Sequence, residues 1–502
     1  MASIFDLTEV NPWWKNPDLI AEDLHIKKFE SSMIKWKPGI KRYINLNVDD
    51  YVLYTVRGPR QVGKTTLIKL IIRDYLESGI NPLRICFLTC DLVSSPKALE
   101  DIIQTYINYA NSQTKDHLFL FIDEITAVRD WQESIKSLWN KGLLKNISVV
   151  ACGSHAMDIK AGADRLPGRT GRGDPVKHIR FVPMKFAEFI CCYNPELGNE
   201  FGKRGLNEGK KRRKILTDLI NGKDNEHLSW LLMQKLDLDR LLETYMLTGG
   251  IACAVNEFKK TAKIQNETYN DYIRAFQSDL SHWKRDTSTA KYLISSIIEK
   301  IGCKVHWNSL KADFATQPTI KAYVNNMYDC FALVYFNSSR ISGSGKRISG
   351  ASEKGKKIYI LDPFIFHCLR YWTSPVGNKT ALELSMEYLS DETNRGKIIE
   401  TIIADHLVRF AFNLNPSDNF DAKNEIFFWR PNKEEIDFIV NFDNKLLPIE
   451  SKYRYDIPAK SIKLVSQFAK EQNINGIVVS KDEFKKYDNV ITIPASIFLT
   501  LI

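Results

Sequence analysis

The chain has 502 residues, with 70 Lys and Arg against 60 Asp and Glu, so its formal net charge is +10. Hydrophobic residues make up 44% and charged residues 26%, a globular balance that excludes a disordered or collagen-like chain. At about 150 residues per domain, this length predicts roughly three domains. The positive charge permits nucleic-acid binding without requiring it.

Nine cysteines are scattered along the chain, and none is spaced as C-x-x-C. This pattern argues against a structural zinc site or a disulfide framework and favours a reducing compartment. The N-terminus has no signal-peptide pattern, and no apolar run reaches the ~18 residues of a membrane-spanning helix. We therefore expect a cytoplasmic protein with no membrane association.

The first 50 residues read as an N-terminal arm that Trp13 and Trp14 anchor. After it, short apolar runs alternate with helical segments, which is typical of a parallel sheet covered by helices on both faces. The four predicted strands are YVLYTV (51–56), RICFLTC (84–90), LFLFID (118–123) and ISVVAC (147–152).

The segment GPRQVGKT (58–65) matches G-x-x-x-x-G-K-[ST] between a predicted strand and a predicted helix, which is the context that the motif requires. Its backbone N–H groups and the helix N-terminus can face phosphate oxygens. Lys64 can reach the β- and γ-phosphates of ATP, and the Thr65 hydroxyl can bind Mg²⁺. The predicted nucleotide-binding residues are Gly58, Pro59, Arg60, Gln61, Val62, Gly63, Lys64, Thr65 and Thr66.

Two acidic residues end the third predicted strand. Asp123 is suited to hold Mg²⁺ through water, and Glu124 to polarise the water that attacks the γ-phosphate. Nucleotide binding with little turnover is the alternative. After the next strand, Ser154 can hydrogen-bond the attacking water or can form only a turn.

A Gly-rich segment follows, with Arg165, Arg169 and Arg172. An arginine presented by a neighbouring copy can stabilise charge on the γ-phosphate in the transition state. The alternative is that these are surface arginines.

These motifs resemble, in order, the prokaryotic AAA-type ATPases that carry a DUF4143 C-terminal region, most closely the archaeal members. The resemblance implies ATP hydrolysis, a homo-oligomer with a hexameric ring favoured, and a role in trans for Arg169. The segments that carry it are GPRQVGKTT, FIDE, GS, LPGR, FAEF, MLTGGIACAV, HWNSLKADFATQPTIKAYVNNMYDCFALVY, KIYILDPFIFH, RGKIIETIIADHL and EIDFIV…LPIESK.

The segment from Trp307 to Phe336 reads as a helix, a turn and a second helix that begins after Thr316 or Thr319. Such a second helix can enter a DNA groove, with Lys321, Asn325 and Asn326 on one exposed face. The Gly/Ser/Lys loop that follows resembles a wing whose cations meet phosphates. The alternative is a solvated loop that binds nothing. The predicted DNA-binding residues are Lys321, Arg340, Lys346, Arg347, Lys354, Lys356 and Lys357.

The last region carries an acidic pattern, with Asp437 in EIDFIV and Glu450 and Lys452 in IESK. Strand side chains alternate, so Glu450 and Lys452 share a face. With Glu400 from the preceding helix, these carboxylates can hold Mg²⁺ or Mn²⁺, which would activate water against a phosphodiester while Lys452 stabilises charge.

This spacing resembles the PD-(D/E)xK nuclease fold, although Ile436 replaces the usual proline. A chance arrangement of charges is the first alternative. The second is a fold that is retained only to bind a nucleic-acid backbone.

The expected fold class is α/β. Its parts are a P-loop ATPase domain with an N-terminal arm (1–185), a helical lid (186–295), a winged-helix-like domain (296–385) and a restriction-endonuclease-like domain (386–502). We expect an ATPase that binds DNA and cleaves or processes it with metal. The alternatives are a regulatory switch with a non-cleaving C-terminal domain, which could bind a protein partner, and a junction-processing or repair translocase.

Overall fold

The computed structural model describes most of the chain. The described residues are 4–39, 44, 46, 50–153, 155–171, 176–310, 316–341, 347–348, 355–375, 377–431 and 434–502. The chain divides into two compact units, Met1–Val182 and Pro183–Ile502. None of the described helices is long and apolar enough to cross a membrane.

The first unit is built on a five-stranded parallel sheet with the order β2-β3-β4-β1-β5. Its strands are β1 (Tyr51–Arg57), β2 (Ile85–Thr89), β3 (Leu118–Asp123), β4 (Ile147–Cys152) and β5 (His178–Arg180). Its helices are α1 (Ile4–Val10), α2 (Leu24–Ser31), α3 (Lys64–Glu77), α4 (Pro96–Gln113), α5 (Gln132–Asn140) and α6 (Ala156–Asp164). Every residue of β3 and β4 is buried, as expected for strands covered on both faces.

The four predicted strands are thus confirmed, and the N-terminal arm packs on the edge of their sheet. Trp13 is fully buried, and its Nε1 donates a hydrogen bond to the carbonyl of Ile85 at 3.1 Å. Trp14 donates to the same carbonyl at 2.7 Å. Because strands of a parallel sheet end at one edge, Gly58, Asp123 and Cys152 come together there.

The second unit begins with a long helical region, as the sequence pattern indicates. Its helices up to residue 299 are α7 (Phe186–Tyr193), α8 (Pro195–Lys203), α9 (Gly209–Ile220), α10 (Glu226–Met233), α11 (Lys235–Thr248), α12 (Ala252–Thr261), α13 (Asn266–His282) and α14 (Thr287–Glu299). The later ones are α15 (Gln317–Asp329), α16 (Pro363–Thr373), α17 (Ala381–Ser390), α18 (Glu392–Leu414), α19 (Ala422–Glu425), α20 (Ala459–Gln472) and α21 (Ala495–Leu501).

An eight-stranded mixed sheet forms the rest of this unit, in the order β14-β15-β13-β12-β11-β10-β6-β9. Its strands are β6 (Leu333–Ser338), β9 (Lys356–Ile360), β10 (Ile426–Trp429), β11 (Ile436–Phe442), β12 (Lys445–Lys452), β13 (Gly476–Ser480), β14 (Lys485–Lys486) and β15 (Val490–Pro494). A separate two-stranded ladder consists of β7 (Arg340–Ile341) and β8 (Arg347–Ile348).

This sheet corrects the predicted boundary between the winged-helix-like and nuclease-like domains. Strands β6 and β9 were expected in a domain ending at residue 385, yet β6 pairs in parallel with β10, with Phe427 opposite Asn337. The predicted boundary therefore divides one sheet and is wrong as a separation of two folded domains. The physical reason is that β6 is apolar on both faces, so it is buried inside a larger sheet rather than lying on a small wing.

Candidate functional site

The loop between β1 and α3 has the backbone conformation of a phosphate cradle. Gln61 and Gly63 have φ angles of 60° and 99°, in the left-handed region that favours glycine. At Gly58, a Cβ would lie 1.7 Å from the carbonyl oxygen of Phe181, so no other residue fits there. The two glycines of the motif thus lie where the loop needs a residue without a Cβ or with a positive φ angle.

Lys64 is buried, with 8% of its surface exposed. Its Nζ donates hydrogen bonds to the carbonyl oxygens of Gly58, at 3.1 Å, and Pro59, at 3.0 Å. Burial lowers the pKa of Lys64, while the negative charge of Glu124 is among the influences that raise it. The ammonium therefore lies over the loop, where phosphate oxygens can replace the carbonyl oxygens as acceptors.

Asp123 is the centre of the polar group at the sheet edge. The Thr65 hydroxyl donates to its Oδ2 at 2.7 Å, and the Glu124 N–H donates to its Oδ1 at 3.1 Å. The Cys152 thiol also donates to Oδ1 at 2.6 Å, and burial, then the charge of Asp123, raises its pKa well above the ordinary value. Cys152 was missed in the sequence, where its place at the end of β4 is the only signal.

These residues fit a magnesium ion, because Mg²⁺ takes oxygen ligands and keeps several of its waters. Thr65 and Asp123 offer a hydroxyl and a carboxylate within hydrogen-bond distance of each other. Glu124 follows Asp123 in the left-handed conformation, with φ 50° and ψ 38°. Four residues with the required chemistry thus lie at the same edge of the sheet: Lys64, Thr65, Asp123 and Glu124.

Of the other residues predicted for this site, one lies outside the residues that the structure describes and one lies away from the phosphate loop. Ser154 lies outside the described residues; its neighbour His155 lies with Nε2 3.2 Å from an Nη of Arg60. Arg169 lies beside the beginning of β1, because the next residue's carbonyl accepts a hydrogen bond from the Leu53 N–H at 3.1 Å. Five residues at about 3.3 Å each separate Leu53 from Gly58, so the Arg169 backbone lies roughly 17 Å from its own phosphate loop.

A second polar group forms in the eight-stranded sheet, where β11 and β12 are antiparallel. Asp437 and Glu450 lie opposite each other, and the Asp437 N–H donates to Glu450 Oε2 at 3.1 Å. Lys452 Nζ lies 2.5 Å from Glu450 Oε1 and 3.8 Å from Asp437 Oδ2. Glu400, on α18, is part of the same group. The structure therefore brings together the four residues that the sequence singled out.

Lys357 also lies in this group, although the sequence analysis assigned it to a DNA-binding loop. Its side chain is fully buried, and its Nζ lies 2.6 Å from Asp437 Oδ1, 2.9 Å from Glu435 Oε1 and 3.5 Å from Glu400 Oε1. Burial opposes the charge on Lys357, yet nearby acidic groups, Asp437 first, raise its pKa well above the ordinary value. For Asp437, burial acts to raise the pKa, but Lys357 and Lys452 lower it below the ordinary value.

The group does not fit the metal ion that the sequence predicts. Among the described residues, no group of three or more His, Cys, Asp or Glu side chains is arranged to hold a metal. Two lysine ammonium groups already contact the carboxylates of Asp437, Glu450 and Glu400. Burial, and then the negative charge of Asp437, raise the pKa of Glu450 to about 8. The predicted carboxylates are therefore present, but lysine ammonium groups rather than a metal ion balance their negative charge.

The predicted DNA-binding residues do not form one exposed surface. Lys356 and Lys357 lie in β9 and are buried, so their assignment to an exposed loop is wrong; strand pairing with β6 takes them into the sheet. Lys346 and Lys354 lie outside the described residues. Arg340 and Arg347 lie on the ladder of β7 and β8.

The helix predicted to begin after Thr316 or Thr319 is confirmed as α15, and the first of these starting points is correct because α15 begins at Gln317. Lys321 is exposed on it, whereas Asn325 accepts a hydrogen bond from the Tyr335 hydroxyl at 3.0 Å. Asn326 is buried and accepts one from Arg285 Nε at 3.2 Å. The three residues therefore do not share one exposed face.

Three family models match parts of the chain. Residues 50–190 match an AAA domain, and residues 239–376 and 395–498 match two domains of unknown function, DUF8612 and DUF4143 respectively. The comparison with curated protein sequences gives no match. The predicted AAA-type ATPase domain and DUF4143 region are thereby confirmed.

Solved structures with similarity to the chain include proteins of Pyrococcus abyssi and Aeropyrum pernix. A Walker-type ATPase of Pyrococcus abyssi is 15% identical, with a TM-score of 0.37, over 64% of this chain and 91% of that one. The ORC2 protein of Aeropyrum pernix is 10% identical, with a TM-score of 0.32, over 74% and 94%. The ORC1 protein of the same organism, in complex with DNA, is 12% identical, with a TM-score of 0.27, over 72% and 96%.

Proposed function

We propose that this protein hydrolyses ATP in its first unit, binds DNA through its second unit, and completes its nucleotide sites between copies. The observation that carries the ATPase proposal is the hydrogen bond between Thr65 and Asp123, with Lys64 and Glu124 at the same sheet edge. Each of these groups is of the type that phosphoryl transfer to water requires.

In this mechanism, Lys64 and the loop N–H groups bind the β- and γ-phosphates of ATP. Thr65 and Asp123 would hold Mg²⁺, which neutralises charge on the phosphate oxygens when it is bound. Glu124 accepts a proton from a water as the water oxygen bonds to the γ-phosphorus. The bond from that phosphorus to the β–γ bridging oxygen breaks, and ADP and phosphate leave.

The experiment that tests the ATPase proposal compares Lys64→Ala with wild type. The variant loses a cation that contacts phosphate directly, so we expect nucleotide affinity to fall and turnover to be lost. Affinity is measured with a fluorescent ATP analogue and turnover by phosphate release. Lys97→Ala is the control, since that lysine is 65% exposed on α4. Unchanged affinity in Lys64→Ala would reject the assigned role.

Completion of the site by a neighbouring copy is supported by the position of Arg169. It lies beside the beginning of β1, whereas the phosphate loop follows the end of that strand. Among the described residues, its buried Nε has no hydrogen-bond partner. An arginine in this place can contact a nucleotide only if that nucleotide is bound to another copy, and a hexameric ring is the arrangement we favour.

DNA binding is supported by the net charge of +10 and by basic residues of the second unit. Lys321 is exposed on α15, and Arg340 and Arg347 lie on one short ladder. Phosphate contacts by such residues make affinity fall with salt, with a log–log slope near −0.9 per contact on duplex DNA. The carboxylate group, with Lys357 at its centre, argues against metal-dependent cleavage of that DNA by this unit.

Salt titrations of fluorescence anisotropy with duplex, single-stranded and branched DNA, with and without ATP, test this proposal. We expect the Ser variants of Lys321, Arg340 and Arg347 together to flatten the slope. The matched control replaces one lysine and two arginines that are 69–81% exposed in the same unit, Lys203, Arg240 and Arg274. Salt-insensitive binding, or none, would favour a protein partner instead.

A further inference from the structure

Lys357 lies where three acidic side chains from two separate parts of the chain meet. Asp437 comes from β11, Glu435 from just before it, and Glu400 from α18. The three contacts span 2.6–3.5 Å from Nζ. The ammonium group has three N–H donors; it donates hydrogen bonds to Asp437 and Glu400, and Glu435 adds a third negative charge beside it.

The surrounding strand holds this lysine in place. Lys357 lies opposite Phe336 in the pairing of β9 with β6, and none of its side chain is exposed. Two residues later on the same face, Tyr359 donates a hydrogen bond from its hydroxyl to Glu400 Oε1 at 2.6 Å. β9 therefore supplies both a cation and a donor to the acidic group.

A divalent cation would need the space that the ammonium nitrogen fills. Mg²⁺, Mn²⁺ or Ca²⁺ binds carboxylate oxygens at about 2.0–2.6 Å. Lys357 Nζ lies 2.6 Å from Asp437 Oδ1 and 3.5 Å from Glu400 Oε1, so a cation bound to both oxygens would collide with it. Repulsion between the two positive charges acts in the same direction.

We propose that the Lys357 ammonium takes the place of a divalent cation among Asp437, Glu400 and Glu435, and that its removal creates a divalent-cation site. The wild-type group is therefore a metal-free ion cluster that its own lysine keeps closed. This proposal does not depend on ATP hydrolysis or on DNA binding, and its test measures neither.

The test is a Mn²⁺ titration of the full-length protein without nucleotide, followed by electron paramagnetic resonance of free Mn²⁺. Wild type is compared with Lys357→Met, whose unbranched side chain is one atom shorter and carries no charge. We expect Lys357→Met to bind one more Mn²⁺ per chain than wild type. The added Asp437→Asn substitution should abolish that gain, while any Mn²⁺ at the phosphate loop remains.

Thermal unfolding gives a second readout. Removing Lys357 takes away one of the two lysines that offset the charge of these carboxylates, so Lys357→Met should unfold at a lower temperature in EDTA than wild type. Mn²⁺ should raise that temperature more in the variant than in wild type, through binding to the folded state at the additional site. If Lys357→Met folds only with Mn²⁺ present, that dependence supports the proposal as well.

Two results would overturn the proposal. One is Mn²⁺ binding to the wild type that Asp437→Asn removes, since the lysine would then not exclude the metal. The other is a folded Lys357→Met that binds no more Mn²⁺ than wild type. Lys357→Gln, whose neutral amide still donates hydrogen bonds, serves if Lys357→Met does not fold, and the wild-type titration decides the first point without any variant.

Discussion

Replacing Glu124 by glutamine separates proton acceptance from every other property of the nucleotide site. The amide has the size of the carboxylate, and the hydrogen bond from the residue's N–H to Asp123 Oδ1, at 3.1 Å, involves only its backbone. The left-handed backbone, with φ 50° and ψ 38°, is shared by both side chains. We therefore expect the fold, the Thr65–Asp123 contact and nucleotide binding to be kept.

The substitution should slow only the chemical step, the attack of water on the γ-phosphate. General-base catalysis contributes about 10²–10⁴ to a rate, and each tenfold change corresponds to about 1.4 kcal/mol. Glu124→Gln should thus lower the turnover number by about 10²–10⁴, an activation free energy higher by about 3–5 kcal/mol. The dissociation constant for the ATP analogue should stay within about threefold of the wild-type value.

The assay is phosphate release at saturating ATP, with analogue binding measured on the same preparations. Glu133→Gln on α5 is the matched control, because that glutamate is 56% exposed and pairs only with Lys136 among the described ion pairs. Wild-type turnover in Glu124→Gln would refute the assignment of the base. A parallel loss of turnover and binding would show that the substitution disturbs the loop.

Three further predictions concern assembly, stability and the pH dependence of stability. Arg169→Ala should lower the rate of ATP hydrolysis without changing nucleotide affinity. Mixing Arg169→Ala protein with Lys64→Ala protein should restore part of the activity if sites are shared between copies. A fully active monomer with ATP bound would contradict this. Asp362→Ala should lower the unfolding free energy of the second unit in urea by about 2–4 kcal/mol, because the buried N–H groups of Gly250 and Phe364 lose their acceptor. Burial raises the Asp362 pKa to about 7. Between about pH 4 and 7 the folded state therefore binds more protons than the unfolded state, so the stability of wild type falls as the pH rises. The difference in unfolding free energy between wild type and Asp362→Asn should decline through that window and level off above it. A constant difference across these pH values would contradict the assigned pKa.

The parts that were predictable from the sequence are those fixed by local pattern. Strands β1 to β4 are apolar on both faces, and the phosphate loop is specified by glycines and a lysine within eight residues. The role of Cys152 was not predictable, because in the sequence it is one more apolar residue at a strand end. Its hydrogen bond to Asp123 spans 29 positions of the chain.

The same limit explains the error at Lys357. In the sequence it belongs to a lysine-rich run after glycines and serines, which indicates a solvated loop. Its acidic partners Glu400 and Asp437 lie 43 and 80 positions further along the chain. A buried lysine is stable only beside such partners, and the local pattern of residues contains no information about them.

The shared sheet has a consequence for how this protein can be divided. The regions matching the two domains of unknown function, 239–376 and 395–498, contribute neighbouring strands, with β6 of the first beside β10 of the second. A truncated protein that begins at residue 395 would lose β6 and β9 and leave unpaired the edge of β10 that faces β6. Such an open edge pairs readily with other chains, so the shorter piece would tend to aggregate. The two regions should therefore be expressed together as one piece.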